Sequence, residues 1–359
     1  MINHRGRSSA SILGLALIAL IALPATAFAN TSGPIAQTGG MSATIPLLGA
    51  SLTVDVVLDP VGNISSVALD PVGDFSATKV GPHAVAFETT DGTTQVKIKA
   101  KGDKLSLKVA AGSLAALVGS GTWTADVFGT GATTLVGYTI GDSAGAPTIS
   151  VDSVAAPAGI TVTQSPPETS TSDDGAKASV RVDFAADGFV KRLKLSVSVK
   201  FEDGDQQARL KIELSGKDKQ NLTGTLASLV GPHAWSGLAC DGTTALGIAF
   251  TVVDTAGVGS VTFDPATFAT GGTATATANE NGFTARFDGT RTKVKVRLTQ
   301  ADDGTWSLKV SAKTDKCKDQ PAVDPTVNTP VAPRDAEKAK EHDGNQDGSG
   351  KGDSKEGDH

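Results

Sequence analysis

Two cysteines are the residues of this sequence best placed to form a covalent bond. Cys240 and Cys317 are the only two in the chain, and an exported chain with two cysteines usually pairs them. Closing a loop of this size stabilises a fold by roughly 4 kcal/mol in the chain-entropy model. Two buried free thiols are the alternative. Metal binding by the thiols is not expected, because no histidine spacing accompanies them. We predict a Cys240–Cys317 disulfide.

Histidine is the next candidate for chemistry. Away from the two ends of the chain there are two, His83 and His233, each within a Gly-Pro-His-Ala sequence. Two similar loops could share a metal ion, but no cysteine, aspartate or second histidine stands at ligand spacing. A Gly-Pro turn that happens to precede a histidine explains both positions equally well. We predict no metal site and no cofactor.

Patterns for a catalytic serine or carboxylate are weak. A serine nucleophile needs a base and an orienting acid, and histidines are scarce here. A glycosidase-like site needs two facing acids in a cleft. Thirteen of the 30 aspartates stand in Asp-Gly or Asp-Pro pairs, where turn geometry explains them. We therefore predict that the protein is not an enzyme.

Aromatic and cationic residues offer two further candidates for binding. Trp123 and Trp235 occupy equivalent positions of an internal repeat, which favours core anchors over platforms for a ligand. Basic side chains line the polar side of two predicted hairpins: Lys97, Lys99, Lys101, Lys293, Lys295 and Arg297. Such a stripe could bind an anionic envelope polymer. The alternative, which the sequence alone favours, is a solvated sheet face that discourages edge-to-edge aggregation.

The end of the chain contains part of a calcium-loop pattern. Asp-Gly-Asn-Gln-Asp-Gly at 343–348 begins like an EF-hand loop. The twelfth position, however, is Ser354 rather than an acid, and no helical pattern flanks the segment. A polar spacer is the better interpretation.

The first 29 residues have the pattern of a cleaved export signal. Arg5 and Arg7 precede an apolar run at 11–23, and Ala27-Phe28-Ala29 is a small-x-small cleavage site. The run covers 13 residues, whereas about 20 are needed to span a bilayer. We expect a secreted, extracellular or cell-surface protein without a stable membrane span.

The net charge of the chain limits the kinds of partner that it can bind. Loss of Arg5 and Arg7 with the signal lowers the 32 basic residues to 30, against 38 acidic residues, a net charge of −8. This disfavours nucleic acid or an anionic membrane as a partner for the whole chain. The Ala-, Gly-, Thr- and Asp-rich composition is typical of a bacterial exoprotein.

Internal similarity is the strongest signal of organisation. Residues 114–123 match residues 226–235 at six of ten positions, an offset of 112. A second register has an offset of 150, because residues 80–94 match residues 230–244 at nine of fifteen positions. Either a short piece was copied separately, or the ancestral unit is a smaller hairpin; the sequence leaves both open.

Alternation of polar and apolar residues predicts the fold class. Residues 95–101, 194–201 and 292–298 alternate with period two, which is typical of antiparallel strands that bury one face. Asp-Gly pairs between them predict hairpin turns. We predict an all-β protein of about three tandem hairpin or β-sandwich-like modules.

The predicted domain boundaries follow from these patterns. They are a signal peptide at 1–29, modules at 30–112, 113–222 and 223–317, and a disordered polar tail at 318–359. Within the second module, residues 163–177 are expected to be an exposed loop. The tail has too few apolar residues to offset its ordering entropy.

The functional expectation is a non-catalytic secreted or envelope-associated protein that presents a surface for adhesion or ligand binding. Its partner is an unidentified surface or envelope ligand, and its oligomeric state is open. Two alternatives are a secreted hydrolase with a carboxylate-based site, and a carrier of an apolar ligand, which needs an enclosed apolar cavity.

Overall fold

The alternating segments form antiparallel strands, as predicted. The computed structural model describes residues 38–102, 104–202, 205–216, 219–239, 244–264, 274–290, 292–314 and 324–330. The strand Gln95–Lys101 shows the principle, because its apolar residues are buried and its lysines exposed. Period two places alternate side chains on opposite faces of a sheet. One face therefore packs, the other meets water, and the all-β class is confirmed.

Fifteen strands form the first part of the fold. In chain order they are β1 (Gly40–Leu47), β2 (Ala50–Leu58), β3 (Ile64–Asp70), β4 (Phe75–Lys79), β5 (Ala84–Thr89), β6 (Gln95–Lys101), β7 (Lys104–Ala111), β8 (Gly119–Ala125), β9 (Thr134–Ser143), β10 (Ala146–Ala155), β11 (Thr161–Gln164), β12 (Glu168–Ser172), β13 (Gly175–Ala186), β14 (Phe189–Glu202) and β15 (Asp205–Gly216). Sheet A has the order β10-β9-β8-β1-β2-β3; sheet B has the order β11-β13-β14-β15-β7-β6-β5-β4, with β12 also paired to β13. The two sheets bury one hydrophobic core, core 1.

Core 1 contains two similar halves that share both sheets. Each half contributes three consecutive strands to sheet A, β1–β3 or β8–β10, and three to sheet B, β5–β7 or β13–β15. The halves meet where β1 pairs with β8 and where β7 pairs with β15, both antiparallel. Each junction covers edges that would otherwise expose unpaired N–H and C=O groups.

The remaining strands build a smaller sandwich with its own core, core 2. In chain order its elements are β16 (Lys219–Gly224), α1 (Leu226–Leu229), β17 (Gly231–Leu238), β18 (Ala245–Thr255), β19 (Val258–Asp264), β20 (Ala274–Asn279), β21 (Gly282–Phe287), β22 (Thr292–Gln300) and β23 (Trp306–Thr314). Sheet C has the order β16-β23-β22-β21-β20, and sheet D has the order β17-β18-β19.

The repeat offset of 112 has a structural counterpart. The 3₁₀ turn Ala115–Leu117 and α1 precede β8 and β17, which carry the repeated tryptophan, and β9–β10 correspond to β18–β19. The predicted boundary after residue 112 falls between β7 and β8, whereas the one after residue 222 falls within β16. Because the first two predicted modules share one core, three separate repeats are not confirmed.

The second register, with its offset of 150, matches two hairpins. The backbone N–H of Thr89 donates to the carbonyl of Thr94 at 3.0 Å where β5 leads into β6. The N–H of Ala239 donates to the carbonyl of Thr244 at 2.8 Å where β17 leads into β18. This register therefore corresponds to one hairpin and not to a whole module.

Part of the predicted tail is an ordered strand. β24 (Thr326–Val327) pairs in parallel with β3 and extends sheet A. The Asn328 side chain accepts a hydrogen bond from the Leu69 backbone N–H (3.1 Å) and donates one to the Leu69 carbonyl (2.9 Å). The expectation of disorder is wrong for residues 324–330, because backbone pairing holds the segment, Pro325 and Thr329 are buried, and Val327 packs against core 1.

Several predicted features lie outside the described residues. They are the signal peptide, Cys240, Cys317, the calcium-like sequence at 343–348 and the rest of the tail. Among the residues that are described, no helix has the length and apolar character that a membrane crossing requires.

Candidate anion-binding groove

Basic residues are distributed unevenly over the four sheets. No lysine or arginine occurs at 38–78, at 109–176 or at 220–285. These ranges contain every strand of sheet D and, up to β10, all of sheet A. Every basic residue on a described strand therefore belongs to sheet B or sheet C, and the opposite sheets carry none.

Strand register brings lysines side by side on the outward face of sheet B. Lys97 of β6 lies opposite Lys108 of β7, and Lys108 lies opposite Lys211 of β15. Like charges directly opposite on neighbouring strands are destabilising. The row therefore concentrates positive charge at this point of the face and would attract a negatively charged group.

The neighbouring rows extend the positive surface. Twelve cations face outward on the five strands from β6 to β13: Lys97, Lys99, Lys101, Lys104, Lys108, Lys177, Arg181, Arg192, Lys194, Lys200, Arg209 and Lys211. Among the side chains described on these strands, two acids face outward, Asp183 and Glu213. We call this surface the basic face of sheet B.

An open groove of about 810 Å³ crosses this face. Small side chains, Ala110, Ser196 and Ser198, keep its floor low between the longer cations. The turn at Gly92 and Thr93 lines one side of it. The lining contains six cations: Lys97, Lys108, Lys177, Lys200, Arg209 and Lys211.

β12 lines the other side of the groove. Residues 163–177 were predicted to be an exposed loop; β12 is exposed throughout, but it pairs with β13 in regular antiparallel register. Its residues 170–172 border the groove together with Asp174 and Lys177. The polar composition that suggests a loop also suits an edge strand with both faces in water.

The lowered pKa of Glu213 reflects the positive charge on this face. Burial of its carboxyl raises the pKa, but a hydrogen bond from Lys211 and the charges of Lys211, Lys104 and Lys194 outweigh burial and lower it overall. Glu213 and Lys211 form an ion pair. The carboxylate is therefore ionised at neutral pH and neutralises part of the lysine row.

Asp183 likewise pairs with a cation, Arg192, at the far side of the face. Its two carboxylate oxygens accept hydrogen bonds from Arg192 Nε and a terminal guanidinium nitrogen, at 2.7 and 3.0 Å. The hydrogen bond with Asp183 raises the pKa of Arg192. This bidentate pair fixes one edge of the basic face. In the lysine row of the groove, the corresponding acid is Glu213, which lies two residues from Lys211 on β15.

Turn geometry explains two of the aspartates that sequence patterns could assign to catalysis. A hydrogen bond from the Thr89 side chain lowers the pKa of Asp91, and a backbone N–H from Thr305 lowers that of Asp303. Both lie in Asp-Gly turns. Their carboxylates are occupied in closing hairpins, as the turn interpretation predicts.

The sequence was expected to lack a Gly-x-Ser-x-Gly pattern, and that expectation is wrong, because the pattern occurs at 141–145. In lipases this pattern forms a strand-to-helix elbow, but here it joins β9 to β10. Ala144 and Gly145 adopt positive φ, and the Asp142 carboxylate accepts from the Gly145 N–H at 2.7 Å. The glycines and aspartate of this sequence serve a tight hairpin.

The two histidines lie in different parts of the fold, His83 in the turn before β5 and His233 on β17. The carbonyl of His83 accepts from the Ala100 N–H in sheet B. The ring of His233 in sheet D stacks on Phe250 and lies 2.7 Å from the Leu229 carbonyl. Within the described residues, no group of three or more His, Cys, Asp or Glu side chains is arranged to hold a metal ion.

Both repeated tryptophans are core anchors. Trp123 is fully buried and stacks on Phe184 with ring centroids 6.1 Å apart. Trp235 is buried and lies 6.0 Å from the ring of Phe287. Neither forms part of the groove, whose lining contains no aromatic residue.

Searches of protein-family models, of curated proteins and of solved structures find no match to this chain.

Sequence patterns found part of this site. Lys97, Lys99 and Lys101 stand out by their alternation, but their neighbours Lys108 and Lys211 were not predicted. The pairing of β7 with β15, which brings these two lysines together, depends on contacts between two distant parts of the chain. The sequence contains one signal for these two lysines, because basic residues cluster at 79–108 and at 177–219.

Proposed function

We propose that this protein is a non-catalytic, exported binding protein whose groove on sheet B holds an extended polyanion of the acidic-polysaccharide class. The observation that carries this proposal is the row Lys97, Lys108 and Lys211, three cations on adjacent strands in an open groove. The chain as a whole has a net charge of −6, so this positive surface is local.

Charge is the physical basis of the binding. A cationic groove that neutralises a polyanion releases the counterions condensed on it, which gives affinity that falls steeply with salt. A low-lying floor between walls concentrates the field. An extended chain can contact several rows of cations at once, whereas a single small anion contacts only one or two.

The groove favours an acidic polysaccharide over single-stranded nucleic acid. Proteins that bind single strands combine positive charge with aromatic side chains on which bases stack. The groove lining contains no Phe, Tyr or Trp. The hydroxyls of Ser170, Thr171, Ser196 and Ser198 can instead donate hydrogen bonds to hydroxyl and carboxylate oxygens.

The alternatives from the sequence receive less support from this groove. A carboxylate-based hydrolase needs two facing acids, and the groove lining contains one acid, Asp174. A carrier of an apolar ligand needs an enclosed apolar cavity, whereas this groove is open and its longest side chains are charged. Export, which residues 1–29 predict, would bring the groove to the envelope polysaccharides of its surroundings.

A double substitution in the row tests the proposal. We expect K108Q/K211Q to weaken the binding of heparin and polygalacturonate by about tenfold at low salt, since each lost ion contact contributes about 0.7 kcal/mol. Isothermal titration of the chain lacking residues 1–29 measures both constants. The slope of log affinity against log salt should also become shallower.

The matched control is K108R/K211R, which keeps both charges and should bind like the parent protein. Unchanged affinity in K108Q/K211Q, with both variants folded by circular dichroism, contradicts the groove as the site. Tighter binding to single-stranded DNA than to either polysaccharide would contradict the assigned ligand class.

A further inference from the structure

Sheets B and C are joined along one strand direction. β16 follows β15 after two residues, and it continues beside the tip of the β13–β14 hairpin. The Asn221 N–H donates to the Gly188 carbonyl at 2.8 Å, and the Gln220 side-chain amide donates to the Asp187 carbonyl at 2.8 Å. β14 therefore neighbours first β15 and then β16.

Odd-numbered residues face outward both in β15 and in β16, on either side of this junction. Examples are Arg209 and Lys211 in β15, and Lys219 and Asn221 in β16. Leu214 and Leu222 face the buried side in their respective strands. The outward faces of sheets B and C thus lie on the same side of the joined strands.

Sheet C presents a second basic surface. Seven cations face outward on its strands: Lys219, Arg286, Lys293, Lys295, Arg297, Lys309 and Lys313. Arg297 lies opposite Lys309, and Lys293 lies opposite Lys313. The five strands of sheet C contain no aspartate or glutamate. Like charges again stand side by side, as in the groove of sheet B.

We infer that the basic faces of sheets B and C form one continuous site, which binds a single polyanion chain along the direction of β15 and β16. This inference rests on the proposed function and adds a requirement for ligand length. Lys211 lies opposite Ser196 of β14, and the Asn221 N–H donates to Gly188, eight residues back along β14. Lys219, two residues before Asn221, therefore lies about six strand residues, or about 20 Å, from Lys211. A chain that reaches Lys295, two strands to the side, must extend about 22 Å from Lys211.

Length dependence follows from this geometry. A short oligosaccharide can occupy the groove of sheet B or the face of sheet C, but not both. A long chain that is bound in the groove is held at high effective concentration over sheet C, so its second set of contacts adds avidity. The ratio of short-chain to long-chain dissociation constants therefore measures the contribution of sheet C.

The experiment uses K295Q/R297Q/K309Q in the chain lacking residues 1–29, with K295R/R297K/K309R as the charge-conserving control. Titrations with heparin disaccharide and with unfractionated heparin give the ratio of dissociation constants. We expect the charge-removing variant to bind the long chain at least about tenfold more weakly and to lose most of the length dependence. The control should keep the length dependence of the parent.

The outcomes separate this inference from the proposed function. If K295Q/R297Q/K309Q keeps the full length dependence while K108Q/K211Q loses affinity, the groove stands and the continuous site is overturned. If neither variant weakens long-chain binding, the proposed function itself fails. A ratio that falls in the sheet C variant, with an unchanged melting temperature, supports the continuous site.

Discussion

At the scale of single residues, the basic face is built from charges that oppose one another. Lys97, Lys108 and Lys211 stand on neighbouring strands, and Glu213 beside them forms an ion pair with Lys211. A polyanion in the groove would compete with Glu213 for that lysine. Glu213 is therefore positioned to weaken binding, in contrast to the lysines around it.

Glu213→Gln should therefore tighten polyanion binding. Removing the carboxylate frees Lys211 and raises the local charge by one, so heparin affinity should rise by about two- to fivefold at low salt. Because the cations hold the pKa of Glu213 below its ordinary value, the difference from the parent should persist in mild acid. It should vanish as the pH falls through the lowered pKa and the parent carboxyl protonates.

Asp55→Asn is the matched control for that substitution. Asp55 lies on β2 in sheet A, opposite Ser42, and is exposed. Its removal changes the net charge by the same amount on the sheet that carries no cations. Equal effects of the two variants on affinity would show that total charge, and not the groove, governs binding.

At the scale of elements, the sequence predicts strands well and their neighbours poorly. Period-two alternation located β6, β14 and β22, because each strand buries one face whatever pairs with it. It could not predict that β7 pairs with β15 or that β24 joins β3. Those pairings are decided by edge exposure and by close backbone approach, which no local pattern encodes.

One close approach distinguishes core 1 from core 2. A Cβ atom at Gly121 would lie 2.6 Å from the Thr44 carbonyl and 2.5 Å from the Tyr138 ring, so only glycine lets β1 lie against β8. The residue at the equivalent place of β17 is His233, which Pro232 precedes. Proline lacks an N–H to donate, and a histidine side chain fills the space. These two residues explain why β17 has no second neighbour among the described strands.

Gly121→Ala should consequently destabilise core 1 by about 1–3 kcal/mol, the usual cost of overpacking. Gly112→Ala is the control, because a Cβ atom there meets nothing within 4 Å. Urea denaturation followed by tryptophan fluorescence measures both free energies of unfolding. A loss in Gly112→Ala as large as that in Gly121→Ala would contradict the junction argument.

At the scale of the whole molecule, charge is divided between faces. Sheets A and D carry no lysine or arginine, whereas sheets B and C carry all those on described strands. The sequence shows the clusters of basic residues, whereas net charge alone disfavoured nucleic acid and an anionic membrane as partners for the whole chain. Net charge averages over the surface, so it cannot describe a molecule whose cations occupy one side. The proposal that the two basic faces are continuous rests on the contacts of β16 with the β13–β14 hairpin, which the sequence did not predict.

The last described segment ties the end of the chain back to its beginning. β24 pairs with β3 in sheet A, and the carbonyl of Pro330 accepts a hydrogen bond from the Ala77 N–H of β4 in sheet B, at 2.8 Å. The segment follows core 2 in sequence but packs on core 1. It thus covers the outer edge of β3 and closes that end of the sandwich.

Asn328→Ala should release this closure. The side chain makes two hydrogen bonds to the Leu69 backbone, and loss of both should lower the free energy of unfolding by about 1–3 kcal/mol. Asn279→Ala, which removes one exposed side-chain bond to Thr284 on β21, should cost much less. Limited proteolysis with mass spectrometry should find cleavage within 324–330 in Asn328→Ala and only beyond 330 in the parent and in Asn279→Ala. If all three proteins are cut at the same sites, β24 is held by its backbone pairing and by the packing of Val327, and Asn328 does not fasten it.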